Sequence, residues 1–451
     1  MEATMKKVAL IGAGISGLGM ARALGERNIA YDHFEKMPEL GGNWKYGVYE
    51  NVHIISSKKT TQYLEYPMPD SYPDFPKANQ MLSYLKSYAK KYNLDSGIQF
   101  NTNIINVLQN GESWQLEIEG KGSLTYHSVI IANGHHWHTR YPLLKGNFIG
   151  DILHSKDYKS PEILKNKRVL VVGAGNSAFD IAVDAGEFSV ESHISMRSGR
   201  WIIPKTFFGV PSVDVMQPWY PKWFTKNLIK TLIFIQFGKY SDYGLPEPKD
   251  EIFERHPTIN SQFLYFMKHG RISPHPEIQK VDGKIVTFKD NSQIEVDMIL
   301  FATGFHSSLP MLESLNLKYN QNGMPELIHG MFPKEFKNIY ILGLGQPRYG
   351  AGPLVSLASE MICDSISISD ELEKPMGYIL SRMGAGPLEK EALDPFEVME
   401  RIKQFRKMIP FLPSLEKFFS FVPEFLLPGS IQTIRDQYKF SAPDSVVLKN
   451  I

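Results

Sequence analysis

The sequence predicts an α/β fold in which two parallel β-sheets are flanked by helices. An apolar strand, a glycine-rich turn and a helical pattern follow one another at residues 7–24, and the same order recurs at residues 168–185. The apolar runs at 7–11 and 168–172 are short and rich in Val, Ile and Leu, as in strands buried on both faces. Because strands and helices alternate, we expect the strands to pair in parallel.

Length and composition limit the classes of function. The 451 residues are too many for one hydrophobic core and predict two or three domains. A net charge of +1 gives no reason to expect nucleic acid as a partner. The single cysteine, Cys363, excludes an internal disulfide framework and a CxxC redox pair. We expect a cytoplasmic protein, since the first apolar run leads straight into a glycine motif and none approaches roughly 18 residues.

The first glycine motif has the pattern GxGxxG. It comprises Gly12, Ala13, Gly14, Ile15, Ser16 and Gly17. The first glycine permits a tight turn, the second lets the backbone approach a pyrophosphate, and the third lets the helix pack on the strand. The helix N-terminus supplies unpaired N–H groups to the phosphates. A strand predicted at 30–34 ends in Glu35, at the spacing from which an acid binds a ribose hydroxyl. These residues therefore predict a dinucleotide site.

The second glycine motif lies in the same context, between a strand and a helix. Its predicted binding residues are Gly173, Gly175, Asn176, Ser177 and Ala178. The next strand, predicted at about 193–196, ends in Arg197 where the first unit has an acid, and Ser198 and Arg200 follow closely. An arginine at this point pairs with a 2′-phosphate, which favours NADPH over NADH. A solvent-exposed arginine at a strand end is the alternative.

We therefore predict two Rossmann-like dinucleotide-binding domains, with an NADPH domain inserted into an FAD domain. The FAD domain comprises residues 1–160 and 305–451, the latter including a helical tail, and the NADPH domain comprises residues 161–304. Further strands are predicted at 296–301 and 339–342, and a helical excursion at 205–280. Two such domains imply transfer of a hydride from nicotinamide to flavin. The lack of a CxxC pair leaves oxygen or a quinone-like compound as the acceptor.

Just before the second motif, Phe148, Gly150, His154 and Tyr158 match the pattern FxGxxxHxxx(Y/F). This pattern resembles the fingerprint of the flavin-containing monooxygenases, which are class B flavoprotein monooxygenases. Three further segments resemble family motifs in order and spacing: residues 41–44 (GGxW), 301–305 (FATGY) and 343–347 (GLxQP). The resemblance covers about residues 6–360. It implies that Gly42, Asn43, Trp44 and Gln346 contact FAD and that Thr303 contacts NADPH.

The resemblance also implies a reaction. NADPH reduces FAD, O2 adds to the flavin as a C4a-hydroperoxide, and a soft nucleophile, an amine nitrogen or a sulfide sulfur, takes one oxygen atom. The cofactor carries the reactivity, so no protein nucleophile is required. Tyr158 stands where the Baeyer–Villiger relatives usually carry Trp, which favours the heteroatom-oxygenating branch. Carbonyl oxygenation of the Baeyer–Villiger type remains the alternative.

The sequence departs from the family at Ile55. The family usually has NxxK here, whereas residues 55–58 read Ile-Ser-Ser-Lys, and an isoleucine neither donates nor accepts hydrogen bonds. An uncoupled NADPH oxidase or a catalytically weakened flavoprotein therefore stays open. We take Ile55, Ser56 and His154 as candidates for the catalytic region. For His154, a structural or hinge role is the alternative to that of a base.

Two other segments allow more than one interpretation. Residues 135–138 read His-His-Trp-His, but their spacing is poor for a metal and no carboxylate joins them locally, so we predict no metal site. Residues 219–237 carry Lys222, Lys226 and Lys230 at four-residue spacing opposite apolar residues. This pattern predicts either a helix that covers an access channel or core, or a weak membrane-surface contact. The expected partner is a small-molecule substrate, and a homodimer remains open.

Overall fold

Two five-stranded parallel sheets organise the computed structural model, which describes residues 7–387 and 392–421. In spatial order, the first sheet contains Ile339–Ile341, Ser128–Ile131, Val8–Ile11, Tyr31–Phe34 and Ile98–Gln99. The second contains Asp151–His154, Met298–Phe301, Arg168–Val172, Glu191–Ser195 and Ser273–His275. All neighbouring strands pair in parallel. The predicted fold class, α/β with two Rossmann-like units, is confirmed.

The central strands form where the apolar runs predict them. Every residue of Val8–Ile11 and of Met298–Phe301 is buried, because helices cover one face of each sheet and a smaller β-sheet covers the other. The predicted strands at 30–34, 193–196, 296–301 and 339–342 are observed as Tyr31–Phe34, Glu191–Ser195, Met298–Phe301 and Ile339–Ile341.

Eleven α-helices lie in the described residues. They are Ile15–Glu26, Asn43–Tyr46, Lys58–Thr61, Ala78–Lys91, Asn176–Phe188, Lys222–Phe237, Phe263–Lys268, Gly352–Ser367, Met376–Arg382, Pro395–Met408 and Leu412–Phe421. Short 3-10 turns occur at Asp95–Gly97, Pro161–Leu164, Tyr240–Tyr243, Pro310–Leu315, Ser369–Glu371 and Ile409–Phe411. Among the helices of residues 7–387 and 392–421, none is long and apolar enough to cross a membrane.

The structure also contains several smaller sheets. A three-stranded antiparallel sheet comprises Ile104–Asn110, Ser113–Ile118 and Gly122–Tyr126, and a four-stranded sheet comprises Gln293–Glu295, Ile285–Phe288, Ile278–Gly283 and Gly146–Phe148. Short strand pairs join Ile202–Ile203 to Thr258–Ile259, Thr206–Phe207 to Val210–Pro211, His138–Thr139 to Phe305–His306, Leu327–Ile328 to Phe332–Pro333, and Gln346–Pro347 to Ala392–Leu393.

The chain path crosses between the two main sheets twice. Strands of the second sheet fall between residues 151 and 301, whereas the first sheet takes its last strand, Ile339–Ile341, from beyond that segment. The domain boundaries at 160 and 304 stay a prediction. Part of the predicted C-terminal segment, residues 388–391 and 422–451, lies outside the described residues.

The excursion at 205–280 is less helical than predicted. It contains the helices Lys222–Phe237 and Phe263–Lys268, but it begins with the hairpin Thr206–Phe207 and Val210–Pro211. Its last part supplies Ser273–His275 as the edge strand of the second sheet. The predicted helical excursion therefore contains two helices together with short strands. A glycine turn at Gly209 closes the hairpin, and helical patterning gives no warning of so short a pairing.

Candidate functional site

Both glycine motifs open on one cavity of about 1210 Å³. The first motif contributes Gly12, Gly14, Ile15 and Ser16 to its wall, and the second contributes Gly173, Gly175, Asn176 and Ser177. These residues follow the carboxyl ends of the central strands, which is where open parallel sheets bind ligands. The two predicted dinucleotide sites thus open on one continuous space.

The three glycines of the first motif play different structural roles. Gly12 has φ +104°, and a Cβ there would lie 2.5 Å from the Ala132 carbonyl oxygen. A Cβ on Gly17 would lie 1.7 Å from the carbonyl oxygen of Gly12, so the helix could not pack. At Gly14 the nearest atom, the Cα of Gly42, is 3.6 Å away. Packing of the chain therefore requires glycine at 12 and 17, whereas at 14 the missing side chain leaves room on the cavity wall.

Glu35 holds the first turn in place. Its carboxylate is buried and accepts the Ala13 N–H at 2.6 Å and the Met37 N–H at 2.9 Å. The carboxylate also lines the cavity, whereas Ala13 and Gly17 lie behind the wall. The sequence prediction placed an acid at this strand end, and the structure brings it against the glycine turn.

The second motif repeats this local structure. Gly173 has φ +144°, and a Cβ there would lie 2.4 Å from the Ala302 carbonyl oxygen. No described atom lies within 4 Å of the position that a Cβ on Gly175 would take. Ala178 is buried on the inner face of the helix, behind the cavity wall. In the described chain, neither Gly14 nor Gly175, the two N-cap residues, is accompanied by a side-chain cap, so the first N–H groups of both helices remain available to a ligand.

Arg197 lies two residues beyond the end of strand Glu191–Ser195, and its exposed guanidinium lines the cavity. Within residues 7–387 and 392–421 no carboxylate pairs with it. Ser198 and Arg200 line the same wall. The charged lining residues are Lys36, Arg140, Arg197 and Arg200 against Glu35 and Glu277. The cavity is therefore electropositive and suits anionic ligands such as phosphates.

The segment at 41–44 closes over the first motif. The Gly41 N–H donates to the Ala13 carbonyl oxygen at 3.0 Å, which brings Gly42, Asn43 and Trp44 to the cavity wall. Thr303 also lines the cavity and donates its hydroxyl to the Arg140 carbonyl oxygen. The predicted contact of Gln346 concerns a side chain outside the described structure, although its backbone forms the short strand Gln346–Pro347.

Of the segment 55–58, only Ile55 lines the cavity. Ser56 is buried away from it, with its Oγ 2.7 Å from the Thr61 Oγ1. Ser57 caps the helix Lys58–Thr61 and donates its hydroxyl to the Asp214 carboxylate at 2.6 Å. The structure therefore gives no support to Ser56 as a catalytic residue, because its hydroxyl is engaged behind the wall.

His154 is fully buried and lies outside the cavity wall. Its Nδ1 accepts the Lys156 N–H at 3.1 Å, so its Nε2–H donates to the Gly304 carbonyl oxygen at 3.2 Å. Burial lowers the pKa of His154, which keeps the ring neutral. With both nitrogens engaged, the geometry supports the structural role and not that of a base. The ring ties the fingerprint strand to the loop after Phe301.

The histidine run at 135–138 was missed as part of this site. It lines the cavity after strand Ser128–Ile131, and the His135 Nδ1 lies 3.1 Å from the Gly343 carbonyl oxygen. Burial lowers the pKa of His136 to about 3, so this ring is neutral at physiological pH. The signal was available, because the run follows a buried parallel strand just as the first glycine motif does.

The apolar part of the wall could not have been predicted from motifs. It comes from two helices far along the chain and includes Leu354, Val355, Ala358, Val398 and Ile402. By contrast, none of the described residues 201–255 lines the cavity. Of the predicted roles for residues 219–237, covering an access channel is therefore not supported, whereas covering core agrees with the burial of Ile229 and Ile233.

Comparisons with known proteins agree with this geometry. The family profile described as "Flavin-binding monooxygenase-like" matches residues 5–367. The human "Putative dimethylaniline monooxygenase [N-oxide-forming] 6" is 30% identical over 421 residues, which are 84% of this chain and 78% of that protein. The solved S-allyl-L-cysteine S-oxygenase from Allium sativum has a TM-score of 0.64 at 18% identity, over 96% of this chain and 98% of that one. OTEMO in complex with FAD and NADP has a TM-score of 0.65 at 18% identity, over 81% and 85%.

Proposed function

This chain belongs to the flavin-binding monooxygenase-like family, and from that premise we propose an FAD- and NADPH-dependent monooxygenase that transfers one oxygen atom of O2 to an amine nitrogen or a sulfide sulfur. One observation carries the proposal. Two glycine motifs with the same local geometry open on a single electropositive cavity, and Arg197 lies beside the second of them. The names of an N-oxide-forming relative and of an S-oxygenase with the same fold support the choice of substrate atom.

The first motif fits FAD. The free space at Gly14 and the uncapped helix N-terminus would receive the pyrophosphate, while Glu35 stands beside the turn for a ribose hydroxyl. Gly42, Asn43 and Trp44 would border the rest of the cofactor. The residues of this chain thus supply a turn at which backbone N–H groups and the space at Gly14 would receive the phosphates.

The second motif fits NADPH by the same argument. Gly175 leaves open space at the start of helix Asn176–Phe188, and Ser177 lines the wall beside it. The free guanidinium of Arg197, with Arg200 nearby, would receive a 2′-phosphate. Because Arg197 has no carboxylate partner in the described residues, binding this phosphate would not require an existing ion pair to break.

When bound, the flavin supplies the redox chemistry by taking a hydride from NADPH and activating O2. The protein's part is to orient both cofactors and to keep water away. A sulfide or a tertiary amine gives up no proton when it takes an oxygen atom, so no base is required. This agrees with the wall, where burial lowers the pKa of His135 and His136 and so makes both rings weaker proton acceptors.

A second candidate follows from Ile55, which gives the wall a hydrocarbon side chain where the resemblance leads us to expect an amide. Loss of that hydrogen-bonding group favours an enzyme that oxidises NADPH but releases part of its oxygen as hydrogen peroxide. Such an uncoupled oxidase would use the same two cofactors in the same cavity.

One experiment separates these functions. The purified enzyme with FAD is given NADPH and O2 together with a thioether, a tertiary amine or a ketone, and product, NADPH and peroxide are all quantified. We expect a sulfoxide or an N-oxide in proportion to the NADPH consumed. Peroxide equal to the NADPH consumed would identify the oxidase, and an ester from the ketone alone would identify carbonyl oxygenation.

A further inference from the structure

The hydrocarbon part of the cavity wall comes from two helices that lie side by side, Gly352–Ser367 and Pro395–Met408. We define the apolar end as the five side chains that these helices contribute to the wall: Leu354, Val355, Ala358, Val398 and Ile402. The six charged residues of the wall described above lie on neither helix. The acids of the two helices all lie outside the wall: Glu360, Asp364, Glu397 and Glu400. In the described residues, the apolar end therefore carries no charged side chain.

Backbone pairing and an ion pair attach the second of these helices to the segment that resembles the GLxQP motif. The strand Gln346–Pro347 pairs in parallel with Ala392–Leu393, which comes just before helix Pro395–Met408. Arg348 forms an ion pair with the carboxylate of Asp394. The same carboxylate accepts N–H groups of the first helical turn and so caps the helix. The start of the helix is thus fixed against the segment for which the resemblance implies contact with FAD.

Aromatic packing brings the start of this helix toward Ile55. Tyr349 lines the cavity, and its ring lies 5.3 Å from that of Phe396 at an angle of 71°. Ile55 and Phe396 both pack against the hydrophobic cluster that contains Tyr349. At the other end of the helix, Arg406 donates to the Asp364 carboxylate at 2.7 Å and so ties the helix to its neighbour. The helix is held at both ends, so its side chains are a fixed part of the wall.

A histidine ring accompanies the apolar end. His329 lines the cavity, and its ring lies 5.3 Å from that of Phe405 on helix Pro395–Met408. Burial lowers the pKa of His329, and the positive charge of Arg401 adds to this effect. The ring therefore resists taking up a proton, and it carries no negative charge in either form. A cationic group of a ligand would find no anionic partner among the described residues at this end of the wall.

The charge of the wall separates two classes of soft nucleophile. An aliphatic amine resembles the lysine side chain, whose ordinary pKa of about 10.4 leaves it protonated at neutral pH. Moving an ammonium group into an apolar wall without a partner is strongly unfavourable. The excess of positive charge among the other lining residues repels it as well. A thioether carries no charge, and burial of its hydrocarbon groups is favourable.

We propose that Val398 and Ile402 determine the substrate specificity, because the apolar end receives the hydrocarbon group of an uncharged thioether and disfavours an amine that enters as its ammonium ion. The proposal rests on the proposed monooxygenase function and narrows its substrates to apolar sulfides. Val398 is half-buried and Ile402 is buried, and because they lie one helical turn apart they project from the same side of the helix into the wall. The family match ends at residue 367, so neither residue belongs to the matched segment.

Calorimetric titration of the FAD-loaded protein, without NADPH, tests the selection by binding alone. The probes are heptyl methyl sulfide and (methylthio)hexylamine, which have the same length but differ in the ammonium group that ends the second. We expect the uncharged sulfide to bind at least about tenfold more tightly. When NADPH and O2 are added, kcat/KM for sulfoxide formation should show the same preference.

Two substitutions change the apolar end. Val398→Asp places a carboxylate in the wall, near a helix N-terminus where negative charge is stabilised. It should weaken binding of the sulfide about tenfold and reverse the preference in favour of the ammonium probe. Ile402→Ala removes buried hydrocarbon and should also weaken binding of the sulfide about tenfold. Both variants should keep the flavin content of the unmodified protein, since this part of the wall receives the substrate and not FAD.

Met408→Asp and Met408→Ala are the matched controls, because Met408 lies on the same helix, is 37% exposed and does not line the cavity. Both should bind the two probes as the unmodified protein does. Melting temperatures identify a variant that fails to fold, in which case the other substitution in the apolar end decides.

Equal binding of the two probes by the unmodified protein, or an unchanged preference in folded Val398→Asp, would overturn the proposal. Loss of flavin from folded Val398→Asp would also overturn it, because the apolar end would then belong to the cofactor site. If the probes bind as expected but no sulfoxide forms, the selection is supported and the proposed oxygenation is refuted.

Discussion

Replacing Arg197 by Ala should weaken the use of NADPH far more than the use of NADH. The guanidinium is exposed on the cavity wall, and no carboxylate of the described residues competes for it. A 2′-phosphate would therefore gain a charge-assisted contact, whereas NADH has only an uncharged 2′-hydroxyl at this point. We expect KM to rise for NADPH and to change little for NADH.

The size of the effect follows from the surroundings of the side chain. A hydrogen bond to a charged group contributes about 1.5–3 kcal/mol, and exposure to solvent places Arg197 near the lower limit. About 1.5 kcal/mol corresponds to about a tenfold rise in KM for NADPH. Arg197→Lys should retain part of the affinity for NADPH, because an ammonium keeps the charge but lacks the planar guanidinium that binds a phosphate through two N–H groups.

Steady-state NADPH and NADH oxidation by the three proteins measures this directly. The melting temperature should stay the same in all of them, because Arg197 makes no ion pair in the described chain. A rise in KM of equal size for both cofactors would refute the assignment of Arg197 to the 2′-phosphate.

Three further predictions concern the turn, an ion pair and Ile55. Gly17→Ala should prevent stable folding, since its Cβ would lie 1.7 Å from a backbone oxygen, whereas Gly14→Ala should keep its melting temperature and lose FAD absorbance. The pKa of Asp297 lies below its ordinary value of 3.8, because Arg168 donates to the carboxylate at 2.9 Å. The ion pair therefore stabilises the folded protein above pH 3.8, and this stabilisation is lost as the pH falls further. Asp297→Asn should therefore have a lower melting temperature at neutral pH, and its melting temperature should fall less steeply in acid. Ile55→Asn should lower the peroxide released per NADPH, measured with a peroxidase assay.

Each of these has a clear contrary outcome. Normal flavin content in Gly14→Ala would show that the first motif does not hold the cofactor. If the melting temperature of Asp297→Asn fell in acid as steeply as that of the unmodified protein, this ion pair would not contribute to the pH dependence of stability. A higher peroxide yield in Ile55→Asn would show that this position does not limit coupling.

Local sequence sufficed for the strand–turn–helix units. Gly12 and Gly173 are demanded by left-handed backbone and by carbonyl oxygens that leave no room for a side chain. Such requirements act within a few residues and one neighbouring strand, so they leave a readable pattern. Glu35 and Arg197 follow from the same short-range logic, because each comes within two residues of the end of a strand that pairs with the motif strand.

Roles that depend on the direction of a side chain were harder to predict. His154 and Ser56 belong to chemically suggestive segments, yet their polar atoms are engaged by Gly304, Lys156 and Thr61 behind the wall. Whether a side chain faces a cavity or the core depends on the packing of neighbouring elements. The sequence pattern contains the residue type but not that direction.

The sequence by itself thus determined the two dinucleotide units and their family, because glycine geometry and strand burial are local constraints. Only the tertiary structure decided that both motifs share one cavity and that His135 and His136 line it. It also decided that the helix Lys222–Phe237 packs on the core through Ile229 and Ile233 and does not border the cavity. The sequence pattern alone could not decide this, since periodicity reports which sides of a helix are apolar but not what lies against them.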